Sequence, residues 1–449
     1  MRLKLLTVAL ALAAISLPGH GEDLLDAYRE ARANDPVLAQ ADATRLATGE
    51  GVTQARALLL PQINGSLALS QTNGGTGGRF QDPNNPGQFL TSSAIGHSRT
   101  RSLNANLSQT VFDFSKYANL KAAHSSANAQ DQLYQAALQN LYVRVTGAYF
   151  TVLTDEDQLA FAKANEDALK QQFDQADQRF KVGLAAVTDV YQAKSAYEAA
   201  RTQTIAAKNT LDNDREALTQ ITGRPTGDLK KLRDQLPMQA PDPADPDAWV
   251  QKALAANPNL MAQKDNLSAA EHNITSARAG HLPTLTAGVN YGKSSSWYEN
   301  AAIHSNTPST TTVGLTLNVP IFSGGATQSR VRQAIYNRDA AQDSVEIERR
   351  QLRAATLNYY RSVLAGVSQV ESGKAAVESA QKALDATRAG FDVGTQTMVN
   401  VLIAIQTLTQ AESSYSQARH QLVLNRLLLK QSAGAASLSD LQDINALLQ

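Results

Sequence analysis

The chain has 449 residues, 41 Lys plus Arg against 41 Asp plus Glu, 43% hydrophobic residues and no cysteine. Disulfides, thiolate metal sites and cysteine nucleophiles are therefore excluded, and the zero formal charge argues against general binding of nucleic acid. At roughly 150 residues per domain the length allows two to three globular units, unless the chain repeats itself.

The N-terminus reads Met1-Arg2-Leu3-Lys4, then an apolar run over residues 5–17, then Pro18 and Gly19-His20-Gly21. A short basic segment, an apolar stretch and small residues form the pattern of a secretory signal peptide, expected here over residues 1–21. The run is too short for a membrane anchor, which needs about 20 apolar residues. Its removal takes away Arg2 and Lys4 and leaves a slight acidic excess. No later apolar run reaches about 18 residues, so any crossing of a membrane by the mature chain must use strands.

The remainder is written twice. Phe180-Lys181-Val182-Gly183 recurs as Phe391-Asp392-Val393-Gly394, and at the same offset Ile221-Thr222-Gly223 falls on Ser432-Ala433-Gly434. Upstream, Ala55-Arg56-Ala57 and Pro61 match Ala277-Arg278-Ala279 and Pro283, while Pro36 matches Pro258. Solenoid units run roughly 20 to 50 residues, so a repeat this long is a duplicated half-molecule. The two offsets differ, which places an insertion between Pro61 and Phe180. Two structural repeats are expected over residues 22–236 and 247–449, joined by an ordered linker at 237–246 that holds Pro237, Pro241, Pro243 and Pro246.

Each half opens on a helix start, with Asp35 or Asn257 as the cap and Pro36 or Pro258 at the first helical position. These helices are expected to run to Leu60 and Leu282, because a residue preceding proline is pushed out of the α region. Strict alternation follows. Ile63, Leu67 and Leu69, then Leu103, Ala105, Leu107 and Val111, then Leu285, Ala287, Val289 and Tyr291, then Val313, Leu315, Leu317, Val319 and Ile321 alternate with small or polar residues. The expectation is one β-hairpin at about 62–112 and one at about 284–322, with polar, glycine-rich tips over 73–97 and 293–310. Alternation alone fits a half-buried sheet as well as the strands of about 9 to 11 residues found in outer-membrane barrels. The smallest such barrels have about eight strands, so four strands in a membrane would have to share a barrel between chains.

After each hairpin the punctuation disappears. Residues 115–182 contain no proline and one glycine, Gly147, and residues 326–389 contain no proline and only Gly366 and Gly373. At about 1.5 Å per residue each stretch makes roughly 100 Å of helix, beyond any globular core helix. A second breaker-free stretch follows each of Gly183 and Gly394, so long helices are expected over about 115–222 and 326–433, each turning back at a tight tip. Apolar positions such as Leu133, Leu138, Val145 and Tyr149 make a seam, not an all-round core.

Sites of chemistry are sparse. The seven histidines show neither HExxH nor paired metal spacing. Gly74-Gly75-Thr76-Gly77-Gly78 lacks the Lys-Ser/Thr of a phosphate loop. Asp155-Glu156-Asp157 is expected on a solvated helix face. No nucleophile is paired with a base, so no catalytic residue, cofactor or metal site is expected. Asp189 follows the turn at Gly183, and its counterpart is Asn400. In a symmetric assembly one lumen-facing carboxylate per chain would form a cation-attracting ring; an exposed surface aspartate is the alternative.

In their order and duplication, several motifs resemble the outer-membrane efflux proteins of the TolC type: Ala55-Arg56-Ala57 with Leu60-Pro61-Gln62, Phe112-Asp113, Ala148-Tyr149-Phe150, Arg179-Phe180-Lys181-Val182-Gly183-Leu184 with Thr188-Asp189-Val190, Gly280-His281-Leu282-Pro283-Thr284, Pro320-Ile321-Phe322 with Gly324-Gly325, and Val393-Gly394-Thr395. The resemblance spans nearly the whole mature chain. It implies a mostly α protein with a transmembrane β-barrel part, a homotrimer with a twelve-stranded barrel in the lipid of the outer membrane and an α-helical tunnel in the periplasm. It further implies a periplasmic adaptor and an inner-membrane pump or ABC-type secretion ATPase as partners.

Position by position, the resemblance puts adaptor docking at the tips, at Gly183, Leu184, Gly394 and Thr395, and the periplasmic gate at Thr188, Asp189, Phe391, Gln396 and Asn400. Here the chain departs from the family's pattern: Phe391 replaces the gate's tyrosine, Gln396 its arginine, and Asn400 and Ile403 the two aspartates of the entrance ring. Without those groups charge-assisted links cannot form, so a gate held by neutral hydrogen bonds and packing is expected, with a less cation-selective entrance. The function implied is an exit duct for efflux or type I secretion. The alternative is a periplasmic coiled-coil adaptor or scaffold with no channel, and an exported enzyme is more distant.

Overall fold

The computed structural model describes residues 22–298, 305–306 and 308–449, so the expected signal peptide lies outside the described residues. The order of elements is α1 (Leu24–Asn34), α2 (Pro36–Ala57), β1 (Gln62–Gln81), β2 (Phe89–Phe112), α3 (Phe114–Lys181) and α4 (Val187–Thr222). It then runs through α5 (Pro246–Ala256), α6 (Pro258–Ala279), β3 (Thr284–Tyr298), β4 (Ser305–Asn306), β5 (Thr310–Asn318), α7 (Ala326–Asp392), α8 (Met398–Ser432) and α9 (Leu438–Asn445). The same sequence of helix, helix, hairpin, long helix and return helix thus occurs twice.

The capping residues act locally as their chemistry requires. The Asp35 carboxylate accepts from the Leu38 N–H at 2.9 Å, and Asn257 Oδ1 accepts from Asn259 N–H at 2.9 Å. Helices α2 and α6 end at Ala57 and Ala279, three residues before the expected stops. The last residues before Pro61 and Pro283 are drawn into tighter i→i+3 bonds, Leu60 N–H to Ala57 O and Leu282 N–H to Ala279 O, as a chain forced out of the α region would be. Asp113 opens α3 by accepting from the Ser115 N–H at 3.0 Å and the Ser115 hydroxyl at 2.6 Å.

Two compact units divide the chain. The first comprises residues up to Ala43, Gln132–Met261 and Ile347–Gln449; the second comprises Thr44–Asp131 and Ala262–Glu346. In the second lies an antiparallel sheet whose long strands run in the order β1-β2-β3-β5. The first hairpin extension, expected as a loop, is largely strand: β1 pairs with β2 out to Gln81 opposite Phe89, leaving only 82–88 as the turn. In the second, expected as a loop over 293–310, β3 runs on to Tyr298 and Ser305–Asn306 are strand, while residues 299–304 and 307 lie outside the described residues. A glycine-rich run loses side-chain packing but keeps every backbone donor and acceptor, so the ladder continues through Gly74 opposite Gly96.

Register fixes the faces of this sheet, since directly paired residues share a side. Ile63 pairs with Leu107 and Leu67 with Leu103, Leu107 with Val289, and Leu285 and Val289 with Leu317 and Val313. One face therefore carries the large apolar residues of all four strands; the other carries Asn64, Ser66, Asn104, Asn106, Asn290, Thr312 and Thr316. The apolar face is bare: Ile63, Leu67, Val313 and Leu315 are 70% exposed or more. No helix among the described residues is long and apolar enough to cross a membrane.

In the first unit, Leu24, Tyr28, Leu141, Val145, Tyr149, Val152, Leu153, Leu218 and Leu441 form the largest core. Tyr149 is fully buried, and its hydroxyl reaches the carbonyls of Glu22 and Lys230, both at 3.0 Å. Glycines set the approach of α7 to α8: a methyl group on Gly366 would stand 3.1 Å from Leu422, and one on Gly373 3.3 Å from Tyr415. The proline-rich linker is held by side chains that donate to its carbonyls, Arg426 to Pro237 and Gln239 and Trp249 to Pro243. Its last proline, Pro246, is the first residue of α5, capped by Asp245; α1, α5 and α9 are short helices that the sequence patterns did not single out.

The 155–157 acidic run, expected on a solvated face, is docked instead. Glu156 pairs with Arg215 at 2.7 Å, Asp157 accepts from the Ser416 hydroxyl at 2.6 Å, and Asp155 is buried. At that level α3 is covered by α4 and α8, which a charge count along one helix does not reveal.

Candidate functional site

The two helix-hairpin tips lie in the first unit, and each turns on a glycine with a left-handed backbone, Gly183 at φ 76° and Gly394 at φ 81°. The closing bonds are of the same kind at both. Gly183 N–H donates to Phe180 O at 2.9 Å and Leu184 N–H to Arg179 O at 2.8 Å, while Gly394 N–H donates to Phe391 O at 3.1 Å and Thr395 N–H to Gly390 O at 2.8 Å. These bonds absorb the last carbonyls of α3 and α7, the usual device of a glycine-terminated helix. Both glycines face open space, so the residue type is demanded by the backbone and not by crowding.

Flanking the glycines, Val182, Leu184 and Val393 are each about 70% exposed. Both turns thus present apolar side chains to solvent. Behind them a core fastens one hairpin to the other: Leu169, Ala176, Ala193 and Ala200 of α3 and α4 against Leu384, Met398, Val401, Leu402 and Ile405 of α7 and α8.

The residues expected at the gate are all found just behind these tips, but they divide into two groups. Thr188 and Asp189 sit in the first turn of α4, Thr188 exposed and Asp189 half-buried, with the Asp189 N–H donating to Ala186 O at 3.1 Å. Gln396 and Asn400 form a neutral amide pair, Asn400 Nδ2 donating to Gln396 Oε1 at 2.7 Å. Phe391 packs against the inter-hairpin core, and the Arg179 guanidinium lies over its ring at 4.9 Å. Among the described residues no hydrogen bond or ion pair links Thr188 or Asp189 to Phe391, Gln396 or Asn400.

Three participants escaped the sequence reading. Arg179 supplies a cation to the face of the aromatic ring, a contact available to Phe391 without a hydroxyl. Gly390 is the hub of the second tip: its carbonyl accepts from the N–H groups of Thr395 and Gln396 and from the Thr395 hydroxyl, and a methyl group there would stand 2.7 Å from Gln396. Thr397 caps α8 by accepting from the Asn400 N–H. Of these only Thr397 carried a local signal, a threonine opening a helix.

Comparison with known proteins bears on the chain as a whole. The model of the outer membrane efflux proteins matches residues 27–224 and 249–435. The outer membrane protein TolC of Vibrio cholerae is 35% identical over 444 residues, covering 98% of this chain and 97% of its own. The alkaline protease secretion protein AprF of Pseudomonas aeruginosa is 26% identical, covering 94% and 86%. Among solved structures, the outer membrane protein VceC of Vibrio cholerae superposes with a TM-score of 0.74 at 18% identity, covering 92% of this chain and 96% of its own. The Campylobacter jejuni CmeC outer membrane channel superposes with a TM-score of 0.75 at 16% identity, covering 98% and 95%.

Proposed function

The chain belongs to the outer membrane efflux protein family, and from that premise we propose that it is the outer-membrane exit duct of a tripartite efflux pump or type I secretion system. It resides in the outer membrane of a Gram-negative bacterium and extends into the periplasm. The observation that carries the reading is the sheet: four long strands with one bare apolar face and one polar face, in a chain that also has helices of 68 and 67 residues. A soluble adaptor has no use for a bare apolar sheet, whereas a barrel wall needs lipid on one side and water on the other.

Strands β1 and β5 each keep an edge without a partner strand among the described residues. Open edges do not persist in lipid, so several copies share one barrel, and the family resemblance makes it a homotrimer of twelve strands. We read the chain as two repeats, 22–236 and 247–449, joined by the linker at 237–246. The tips at Gly183, Leu184, Gly394 and Thr395 are where a periplasmic adaptor docks, bridging to an inner-membrane pump or ABC-type ATPase, and no enzymatic step is assigned to the chain. Leu184→Asp and Val393→Asp are each expected to abolish crosslinking to the adaptor while leaving trimer assembly intact; unaltered crosslinking in both would remove the tips from the interface.

Thr188, Asp189, Phe391, Gln396 and Asn400 constitute the gate region. The Gln396–Asn400 amide pair is local, four residues apart. One hairpin is therefore held to the other by packing and by Arg179 over the Phe391 ring where the resemblance implies charge-assisted links, which favours a gate that loosens under less force. Conductance in a planar bilayer tests the duct and the gate together. Discrete channels are expected from wild type, with a lower preference for cations in Asp189→Asn. Channels indifferent to that substitution would remove any carboxylate ring, and a protein that neither conducts nor integrates into lipid would overturn the duct itself.

A further inference from the structure

We propose that the barrel wall carries a binding site for the anionic phosphate head groups of outer-leaflet lipid, formed by Arg99, Arg101 and Lys293. The proposal rests on the lipid-facing reading of the sheet given above. The apolar face of the sheet ends abruptly toward the hairpin turns. Leu103 is paired with Lys293, Leu69 with Arg101 and Gln71 with Arg99, so all three cations stand on the same face as the apolar residues. Arg99, Arg101 and Lys293 are exposed.

Depth fixes what they meet. Lys293 is nine residues beyond Thr284 at the helix end of β3, roughly 30 Å along a strand rising about 3.3 Å per residue. With the strand tilt of about 40° usual in barrels, that corresponds to roughly 23 Å of height, the full extent of an apolar band about 25 Å tall. The cations therefore lie at the outer rim of the band, on the side away from the periplasmic helices. Trp297, paired with Arg99 and partly exposed, is the kind of aromatic residue that settles at head-group level.

β1, β2, β3 and β5 contain no aspartate or glutamate, and among the described residues the side-chain partner within the group is the neutral Gln71, whose Oε1 accepts from Arg99 Nε at 3.1 Å. Charge on the lipid face of a barrel is penalised unless it sits at an interface where counter-charge is at hand. Arg99 and Arg101 are two positions apart on one strand, and Arg101 stands diagonally across from Lys293, a spacing of about 7 to 8 Å. That spacing lets two or three donors converge on one phosphate, and guanidinium groups hold phosphate in a bidentate fork. Strands β2 and β3 are the inner pair of the four, so another copy joining at β1 or β5 leaves the patch open to lipid.

The test offers delipidated, detergent-extracted trimer to lipopolysaccharide, to its enzymatically dephosphorylated form and to phosphatidylcholine, and measures the lipid retained after gel filtration. Wild type is expected to retain the phosphorylated form about 10-fold more strongly than the dephosphorylated one, equivalent to roughly 1.4 kcal/mol. The triple variant Arg99→Gln, Arg101→Gln, Lys293→Gln is expected to lose that preference, and the charge-retaining triple Arg99→Lys, Arg101→Lys, Lys293→Arg to keep most of it. Equal preference in the glutamine variant and wild type would overturn the site, as would displacement of the lipid by millimolar inorganic phosphate, which would make it a soluble-phosphate site. Conductance of the glutamine variant separates the two readings: channels without lipid preference sustain the duct whatever becomes of the patch.

Discussion

A Gly434→Ala protein is expected to lose about 3 kcal/mol of stability, from roughly 1–2 kcal/mol for a side chain in the left-handed region and 1–3 kcal/mol for overpacking. Gly434 has φ 67°, and a methyl group on it would stand 2.4 Å from the Ala256 carbonyl oxygen and 2.9 Å from the Asn257 nitrogen. Both obstacles are backbone and neither can swing aside. Asn257 is fixed from two directions, capping α6 and donating to Ser432 O at 3.1 Å. The first half repeats the arrangement: Gly223 has φ 75°, a methyl group there would stand 2.8 Å from Asn34, and Asn34 donates to Thr222 O at 2.9 Å. Gly394→Ala is the control, because its left-handed turn faces open space and only the conformational part applies. Thermal unfolding of the extracted protein should place Gly434→Ala well below Gly394→Ala, and equal midpoints would refute a packing role for Gly434.

Asp155→Asn and His420→Gln are expected to tilt the dependence of stability on pH in opposite directions. Burial raises Asp155 to about 7, reinforced by its hydrogen bond to Asp214 and by the Asp214 charge. A carboxyl raised in the fold contributes stability that is full below its unfolded value near 3.8 and is lost as pH rises through about 7. Burial lowers His420 to about 4, opposed by the Asp157 charge and aided by Arg419. A histidine held neutral contributes stability that is full above its unfolded value near 6.5 and is lost as pH falls through about 4. The ring is fixed by Thr154, whose hydroxyl hydrogen goes to Phe150 O at 2.7 Å, so that Nδ1 at 2.8 Å is the donor to the Thr154 oxygen. In wild type the two slopes oppose each other between about pH 4 and 6.5. Asp155→Asn should therefore be more stable than wild type at pH 8 and little changed at pH 4, by several degrees in the melting midpoint. His420→Gln should lose the acid-side decline. Parallel melting curves across that range for both variants would refute the assignment.

The residues proposed for the gate show most clearly where the sequence is informative and where it stops. That Phe391 lacks a hydroxyl and Gln396 a charge is visible residue by residue, and so is the consequence that charged links are missing. That Arg179 covers the Phe391 ring at 4.9 Å depends on two helices more than two hundred residues apart along the chain. Gly390 is similar: its carbonyl becomes a triple acceptor only when the chain has turned back on itself.

What the sequence determined by itself is whatever local chemistry dictates. Asp35-Pro36 and Asn257-Pro258 specify helix starts, Gly183 and Gly394 specify helix ends, and period-two alternation names the apolar set of each strand, because capping, left-handed backbone and pleat act within a few residues. What only the tertiary structure decided depends on which surfaces meet. Whether Asp155-Glu156-Asp157 faces water or α4, how far β1 and β2 pair beyond Asn73, and that Arg99, Arg101 and Lys293 share one face of one sheet are all set by register and burial between segments distant in the chain. The physical reason is the same in each case: desolvation and pairing are properties of two surfaces together, and a sequence presents them one at a time.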